Sequence, residues 1–251
     1  MHKKHALAFS VLLTAAFAAA PAAADEPTDA KTSYAMKRVP TREKPHTLAS
    51  LEGGLIALPN APISTAQRGG ATPFGTIGEG DATLNAGVRL LYRGGPWWSI
   101  GAGAGYGPRP TSDDQYGGKS GIKRTHSRSY LTLAAEGRLI PLRYGDFEGW
   151  AGAMIGGVIV LDRFKTDTGV NNPTFLGEKE VTVRTEGITA GLQIGGNYYF
   201  GDSWSIGMTA RGHRWFLPDN PRCSPIGDCA TLSGNVQAYE LALALSYRIP
   251  L

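Results

Sequence analysis

Residues 236–249 read V-Q-A-Y-E-L-A-L-A-L-S-Y-R-I and carry the strongest structural signal in the chain. Large apolar side chains alternate with small or charged ones, and strict alternation is typical of a β-strand with two unlike faces. Tyr239 and Tyr247 frame the apolar face, at a separation that for a tilted strand rising roughly 3.3 Å per residue spans most of a bilayer's apolar core. A lone strand is excluded from lipid, because each unpaired main-chain group there costs several kcal/mol. The stretch therefore predicts a closed barrel in which it pairs with the first strand.

Seven further segments alternate in the same way, with glycine or polar residues on the inner parity and larger apolar residues on the outer one. They are 48–58, 82–92, 97–107, 129–140, 148–161, 181–200 and 204–215. Long polar stretches separate them at 59–80, 107–128, 163–179 and 216–235, and short turns at 93–96, 141–147 and 201–203. Both chain ends then lie on the short-turn side. The sequence predicts an all-β protein, an eight-stranded antiparallel up-and-down transmembrane β-barrel.

The beginning of the chain indicates export. Residues 1–24 combine a basic start, an apolar run and three alanines before Asp25, which is the layout of a secretory signal peptide. Residues 25–46 are rich in charge, threonine and proline and are predicted to be a disordered periplasmic lead-in. Residues 47–251 are predicted to form one outer-membrane β-barrel domain. We therefore expect localisation in the outer membrane of a Gram-negative bacterium.

The composition excludes several other classes of function. Glycine makes up 34 of 251 residues, against a usual share of about 7%, and glycine inside strands indicates a crowded, curved inner wall. A formal charge of +4 gives no reason to expect a nucleic-acid partner. The glycine-rich run at 101–107 lacks the helix that a dinucleotide site needs, because Pro108 and Pro110 follow it. We expect no cofactor and no metal.

Cys223 and Cys229 are the two cysteines of the chain and lie in a polar connection. In an exported protein such a pair favours a local disulfide. A metal site is the weaker alternative, because no second pair of ligands lies nearby.

Eight ionisable residues fall on the inner parity and form the predicted lumen charge network: Glu52, Arg89, Glu136, Arg138, Arg211, His213, Glu240 and Arg248. An eight-stranded barrel has room inside for side chains but hardly for a channel. Because buried charges have to pair, we expect the four arginines to neutralise the three glutamates and fill the lumen. A narrow pore for ions or small solutes is the alternative.

Aromatic residues at the ends of the outward rows predict girdles at the membrane interfaces. They are Tyr92, Trp98, Tyr106, Tyr198, Phe200, Trp204, Tyr239 and Tyr247. The expected partners are outer-membrane lipid and lipopolysaccharide, and we expect a monomer.

The pattern of strands and connections over residues 48–251 resembles the small eight-stranded outer-membrane barrels that include OmpX and the transmembrane domain of OmpA. The resemblance implies a non-enzymatic, structural or surface-interaction role with long extracellular loops, and contact with the barrel-assembly machinery. Such chains usually end on an aromatic residue. Here the last aromatic residue is Tyr247, followed by Arg248, Ile249, Pro250 and Leu251.

His126, Ser127 and Glu136 resemble, by residue type, the catalytic groups of outer-membrane lipid A deacylases of the PagL type. In that family one residue separates the histidine from the serine, whereas Arg128 stands at that spacing here. His126 and Ser127 would also face opposite sides of an extended strand. We therefore predict no enzymatic activity, and keep a deacylase and a secreted lipocalin-like binder as lesser alternatives.

Overall fold

A computed structural model describes residues 44–59, 81–108, 113–117, 122–166, 180–220, 222–225 and 228–251. They form nine strands: β1 (His46–Leu58), β2 (Asp81–Arg93), β3 (Trp98–Pro108), β4 (Asp113–Gly117), β5 (Ile122–Tyr144), β6 (Phe147–Thr166), β7 (Glu180–Phe200), β8 (Trp204–Phe216) and β9 (Asn235–Pro250). This part of the chain contains no helix long and apolar enough to cross a membrane. The predicted signal peptide (1–24) and residues 25–43 of the predicted lead-in lie outside the described residues, whereas His46 already belongs to β1.

Eight of the strands form one closed antiparallel ring in the order β1-β2-β3-β5-β6-β7-β8-β9. The last strand closes on the first, with pairs from Ala57↔Tyr239 to His46↔Pro250. β3 pairs directly with β5, and the short β4 is a side strand on the beginning of β5. The predicted all-β, eight-stranded up-and-down barrel is confirmed. Closure pairs the strand edges that lipid would otherwise leave unsatisfied.

Alternation gives the ring two unlike surfaces. Along β8 every second side chain from Trp204 to Phe216 is exposed, and the side chains between them are buried. The outward apolar side chains of the ring form an apolar belt, in which Leu243 is 61% exposed. On β5 and β6 the belt ends at Leu131 and Leu161, because the next outward residues are polar. A continuous apolar exterior around a polar interior is the arrangement of a barrel that crosses a membrane.

Two predicted loops are shorter than expected. β5 begins at Ile122 and β4 precedes it, so strand residues occupy part of the predicted loop 107–128. β6 continues to Thr166, inside the predicted loop 163–179. Beyond the belt the outer face of a strand meets water, so polar composition there does not distinguish a strand from a loop.

The predicted turn 141–147 is also too long. β5 and β6 stay paired through a register shift between Leu139 and Leu142 and turn only at Gly145 and Asp146. Gly145 has a φ of 56°, which a two-residue hairpin turn requires and which glycine adopts without strain.

Inward glycines allow neighbouring strands and side chains to approach closely, as the composition predicted. A Cβ at Gly101 would overlap the main-chain oxygen of Leu90. A Cβ at Gly103 would lie 2.5 Å from Nη1 of Arg89. The inner wall therefore uses glycine to make room for a large charged side chain in a narrow lumen.

Candidate functional site

The middle of the lumen is filled by charged side chains that bridge neighbouring strands. Glu52 of β1 accepts hydrogen bonds from Nε of Arg89 on β2 and from Nη2 of Arg211 on β8, both at 2.7 Å. Nη1 of Arg211 also donates to Glu240 of β9 at 2.5 Å. These contacts connect four consecutive strands of the ring through their side chains.

The same network continues across the lumen to β5 and β7. Glu136 of β5 accepts from Nε2 of Gln193 at 2.6 Å and from Nη2 of Arg138 at 3.3 Å. Nη1 of Arg89 lies 3.5 Å from Glu136, and Nε of Arg211 donates to Gln193 at 3.1 Å. We call this set the charge layer; its members are Glu52, Arg89, Glu136, Arg138, Gln193, Arg211 and Glu240, and each is at most 8% exposed.

Three carboxylates and three guanidinium groups balance within the charge layer, which is the condition for burying ions at tolerable cost. His213 lies at its edge, with Nε2 at 3.6 Å from Glu240. Arg248 is buried as predicted, but among the described residues its Nε and Nη1 have no hydrogen-bond partner, and Glu52 and Glu240 pair with Arg211 instead. The expectation that Arg248 neutralises a glutamate is wrong. In the strand register Arg248 lies opposite Leu48 of β1, near the short-turn end of β9, and Glu240 lies far from it along the same strand.

A second buried cluster, here called the Glu148 cluster, occupies the short-turn end and was not predicted from the sequence. Glu148 accepts from Nη1 and Nη2 of Arg93 at 2.7 and 3.1 Å and from the hydroxyl of Tyr199 at 2.9 Å. Between this cluster and the charge layer, the guanidinium of Arg138 lies 3.8 Å from the ring centre of Trp150. Arg93 and Glu148 both fall on the inward parity of their strands, and this pattern could have predicted the cluster. Both residues, however, lie at the borders of predicted turns.

Between the charge layer and the long-loop end of the barrel, the lumen is apolar. The rings of Tyr130 and Trp215 lie 5.2 Å apart at their centres. This apolar layer is at most 6% exposed and consists of Ile56, Leu58, Tyr130, Val158, Val160, Trp215, Leu217, Leu232, Val236 and Ala238. Leu217 and Leu232 come from the connection between β8 and β9, so these two parts of that connection fold into the lumen.

Residues 228–233, here called the closing segment, cross the long-loop mouth of the barrel. Thr231 is fully buried and donates to Asp162 of β6 from its main-chain N at 3.0 Å and from its hydroxyl at 2.5 Å. Nε of Arg128 donates to the Thr231 hydroxyl at 2.8 Å, and Nε2 of His126 lies 2.8 Å from Asp162. Two ring strands therefore hold the segment in place.

Asp162 lies just beyond the end of the apolar belt on β6 and is fully buried. Burial by itself raises the pKa of this carboxyl. The hydrogen bond from His126, the charge of Arg128 and the hydrogen bond from Thr231 outweigh burial, so the pKa of Asp162 is lower than its ordinary value. Asp162 is therefore an anion at neutral pH.

The predicted disulfide between Cys223 and Cys229 is confirmed. The two cysteines also form a β-bridge, and Cys229 leads directly to the buried Ala230. The disulfide thus lies at the beginning of the closing segment.

The structure does not bring the hydrolase candidates together. His126 faces the lumen and is 1% exposed, whereas Ser127 faces outward. Glu136 lies in the charge layer, roughly 30 Å further along β5 at the usual rise per residue. Among the described residues no group of three or more histidine, cysteine or acidic side chains could hold a metal ion.

All eight predicted girdle residues face outward and are 41–53% exposed. Six of them lie at the short-turn end: Tyr92, Trp98, Tyr198, Phe200, Trp204 and Tyr247. The other two, Tyr106 and Tyr239, lie at the long-loop end. The two interfaces are therefore unlike, with most of these aromatic rings at one and polar outward side chains at the other.

No protein-family model and no curated protein matches the sequence. Solved structures similar to this chain include Neisserial surface protein A, with 13% identity, a TM-score of 0.45 and coverage of 80% of this chain and 96% of that one. Ail of Yersinia pestis, in complex with sucrose octasulfate, has 9% identity, a TM-score of 0.45 and coverage of 82% and 99%. A major outer membrane protein from Thermus thermophilus has 14% identity, a TM-score of 0.43 and coverage of 81% and 99%.

Proposed function

We propose that the protein is a non-enzymatic barrel of the Gram-negative outer membrane that acts through its extracellular surface and not through a channel. The observation that carries this proposal is a lumen filled at four successive levels: the Glu148 cluster, the charge layer, the apolar layer and the closing segment. Ions would have to cross both a dry apolar layer and a paired charge network, and each presents a large barrier.

The apolar belt and the girdles support contact with outer-membrane lipid and lipopolysaccharide. In bacterial barrels the short turns face the periplasm and the long connections face outward. Among the described residues, the exposed stretch 218–220 and the ends of β5, β6 and β7 beyond the belt then meet the medium. Dependence on the barrel-assembly machinery and a monomeric state remain predictions.

Conductance tests the proposal most directly. The purified full chain in planar bilayers should give no conductance steps, and a variant in which residues 230–233 are replaced by glycine and serine should also stay closed, because the charge layer remains. Stable steps from the parent protein would favour the narrow pore.

Location and orientation need a separate test. The mature chain should fractionate with the outer membrane and show a heat-dependent shift in gel mobility, whereas recovery as a soluble periplasmic protein would favour a lipocalin-like binder. Asp219 and Tyr144 are both exposed, at opposite ends of the barrel. A membrane-impermeant thiol reagent should label Asp219→Cys on intact cells and label Tyr144→Cys only after the outer membrane is permeabilised. The reverse pattern would invert the topology.

A further inference from the structure

A concavity of about 170 Å³ lies on the outer wall, where β3, β5, β6 and β7 run side by side. We call it the outer pocket; it is lined chiefly by Tyr106, Ser127, Ser129, Leu161, Arg163 and Thr182. Ser129 pairs with Leu161, Ser127 with Arg163, and Arg163 with Thr182 across the neighbouring strand, so these residues form one contiguous patch. The patch lies outside the barrel and is separate from the filled lumen.

The outer pocket lies where the outward rows change from apolar to polar. Leu131 and Leu161 are the last apolar residues of the belt on β5 and β6, and Ser129 and Arg163 follow them. A ligand in this pocket would therefore have its polar part among hydroxyls and a guanidinium. Any apolar part would lie along the belt below. This juxtaposition fits an amphiphile better than a freely soluble molecule.

The polar lining fits a phosphorylated sugar. Three hydroxyls, those of Ser127, Ser129 and Thr182, can each donate and accept hydrogen bonds. The guanidinium of Arg163 suits a phosphate group, which it binds with paired, charge-assisted hydrogen bonds. Tyr106, 46% exposed at the rim, adds an apolar ring with a polar tip, a combination suited to a membrane interface.

Arg163 can exchange its present partner. Its Nε donates to Glu180 at 2.5 Å, but the two side chains are 56% and 42% exposed. Exposed ion pairs of this kind add little stability, so a phosphate can replace the Glu180 carboxylate at small cost. Lys165, also outward and exposed on β6, adds a positive charge beside the pair.

We propose that the outer pocket binds the phosphorylated sugar headgroup of a membrane glycolipid, with the acyl chains of that lipid lying along the belt. The proposal rests on the outer-membrane location proposed above. It deepens that proposal because it assigns the lipid contact to the outer pocket and the binding of the phosphate to Arg163.

The test uses the purified full chain in detergent micelles and three probes. The probes are diphosphorylated lipid A, the same lipid after removal of both phosphates, and glucosamine 1-phosphate as a headgroup without acyl chains. The matched variants are Arg163→Gln and Arg184→Gln. Both arginines face outward, both are 56% exposed and each pairs with a glutamate, but Arg184 does not line the pocket.

Arg163→Gln should weaken binding of diphosphorylated lipid A by about fivefold to tenfold, the scale of one charge-assisted hydrogen bond in a partly exposed site. Arg184→Gln should leave binding unchanged, and removal of the phosphates should remove the difference between the parent and Arg163→Gln. Thr182→Val should also weaken binding of lipid A. It replaces Arg163→Gln as the test variant if Arg163→Gln does not give the heat-dependent gel shift of a folded barrel.

Equal losses in the two arginine variants would indicate general charge attraction and overturn the proposal. Binding of glucosamine 1-phosphate as tight as that of lipid A would also overturn it, in favour of a soluble phosphosugar. Absence of lipid A binding by a protein that fractionates with the outer membrane would overturn the pocket alone. Soluble fractionation would instead overturn the proposed function itself.

Discussion

The charge layer and the mouth of the barrel both contain buried carboxylates, but these carboxylates connect different parts of the chain. In the charge layer, Glu52 joins Arg89 and Arg211, and all three belong to strands of the ring. At the mouth, Asp162 holds Thr231, which belongs to the connection between β8 and β9. The charge layer links strands of the barrel wall to each other, and the contacts of Asp162 hold part of a connection inside the lumen. The same chemistry should therefore control barrel stability in one place and closure in the other.

The largest effect is expected from Glu52→Ala. This change leaves the buried Arg89 and Arg211 without the carboxylate that both contact, which should destabilise the barrel by about 3 to 5 kcal/mol. The temperature at which the heat-dependent gel shift occurs should fall accordingly. Glu186→Ala is the control, because Glu186 also pairs with an arginine but is 58% exposed on its side chain. Equal melting of the two variants would contradict the bracing role of the charge layer.

A substitution on the outer wall provides a second loss of stability with which the loss in Glu52→Ala can be compared. Leu243 lies in the apolar belt, opposite Gly53 and Met208. Leu243→Arg should cost roughly 2 to 4 kcal/mol if the site is near the bilayer midplane. Ala244→Ser, the next residue but inward, should change melting little. If Leu243→Arg melted like the parent in lipid nanodiscs while Ala244→Ser did not, the inner and outer faces would be assigned the wrong way round.

Asp162→Asn should separate closure from barrel stability. The amide keeps the size of the carboxylate but loses its charge beside Arg128 and His126, which should weaken the hold on the closing segment by about 1.5 to 3 kcal/mol. Hydrogen exchange of amides 230–233 should become faster. Barrel melting should fall less than in Glu52→Ala. A fall in melting as large as that of Glu52→Ala would mean that the mouth braces the wall too.

The sequence predicted the charge layer better than the mouth, for a physical reason. Period-two alternation in a closed ring determines which side chains face inward, so the inward position of Glu52 or Arg211 follows from parity alone. Which inward charges meet depends on the register between strands, and this is why the partner expected for Arg248 was wrong. The mouth depends on Asp162 and Thr231, which lie 69 positions apart. The polar composition of residues 216–235 gave no indication that Thr231 and Leu232 fold back into the lumen.

The smallest effect is expected from pH, and it again distinguishes the two regions. The pKa of Asp162 is lower in the folded protein than its ordinary value, which is about 3.9. A carboxyl with a lowered folded pKa contributes stability above its unfolded pKa and loses that contribution as pH falls through the folded pKa. The opening free energy of the closing segment, measured by hydrogen exchange and corrected for the intrinsic rate, should be constant between about pH 5 and 7. It should fall only below about pH 4. In Asp162→Asn it should not change with pH across this range. Opening of the closing segment near pH 6 in the parent protein would contradict the assignment of this pH dependence to Asp162.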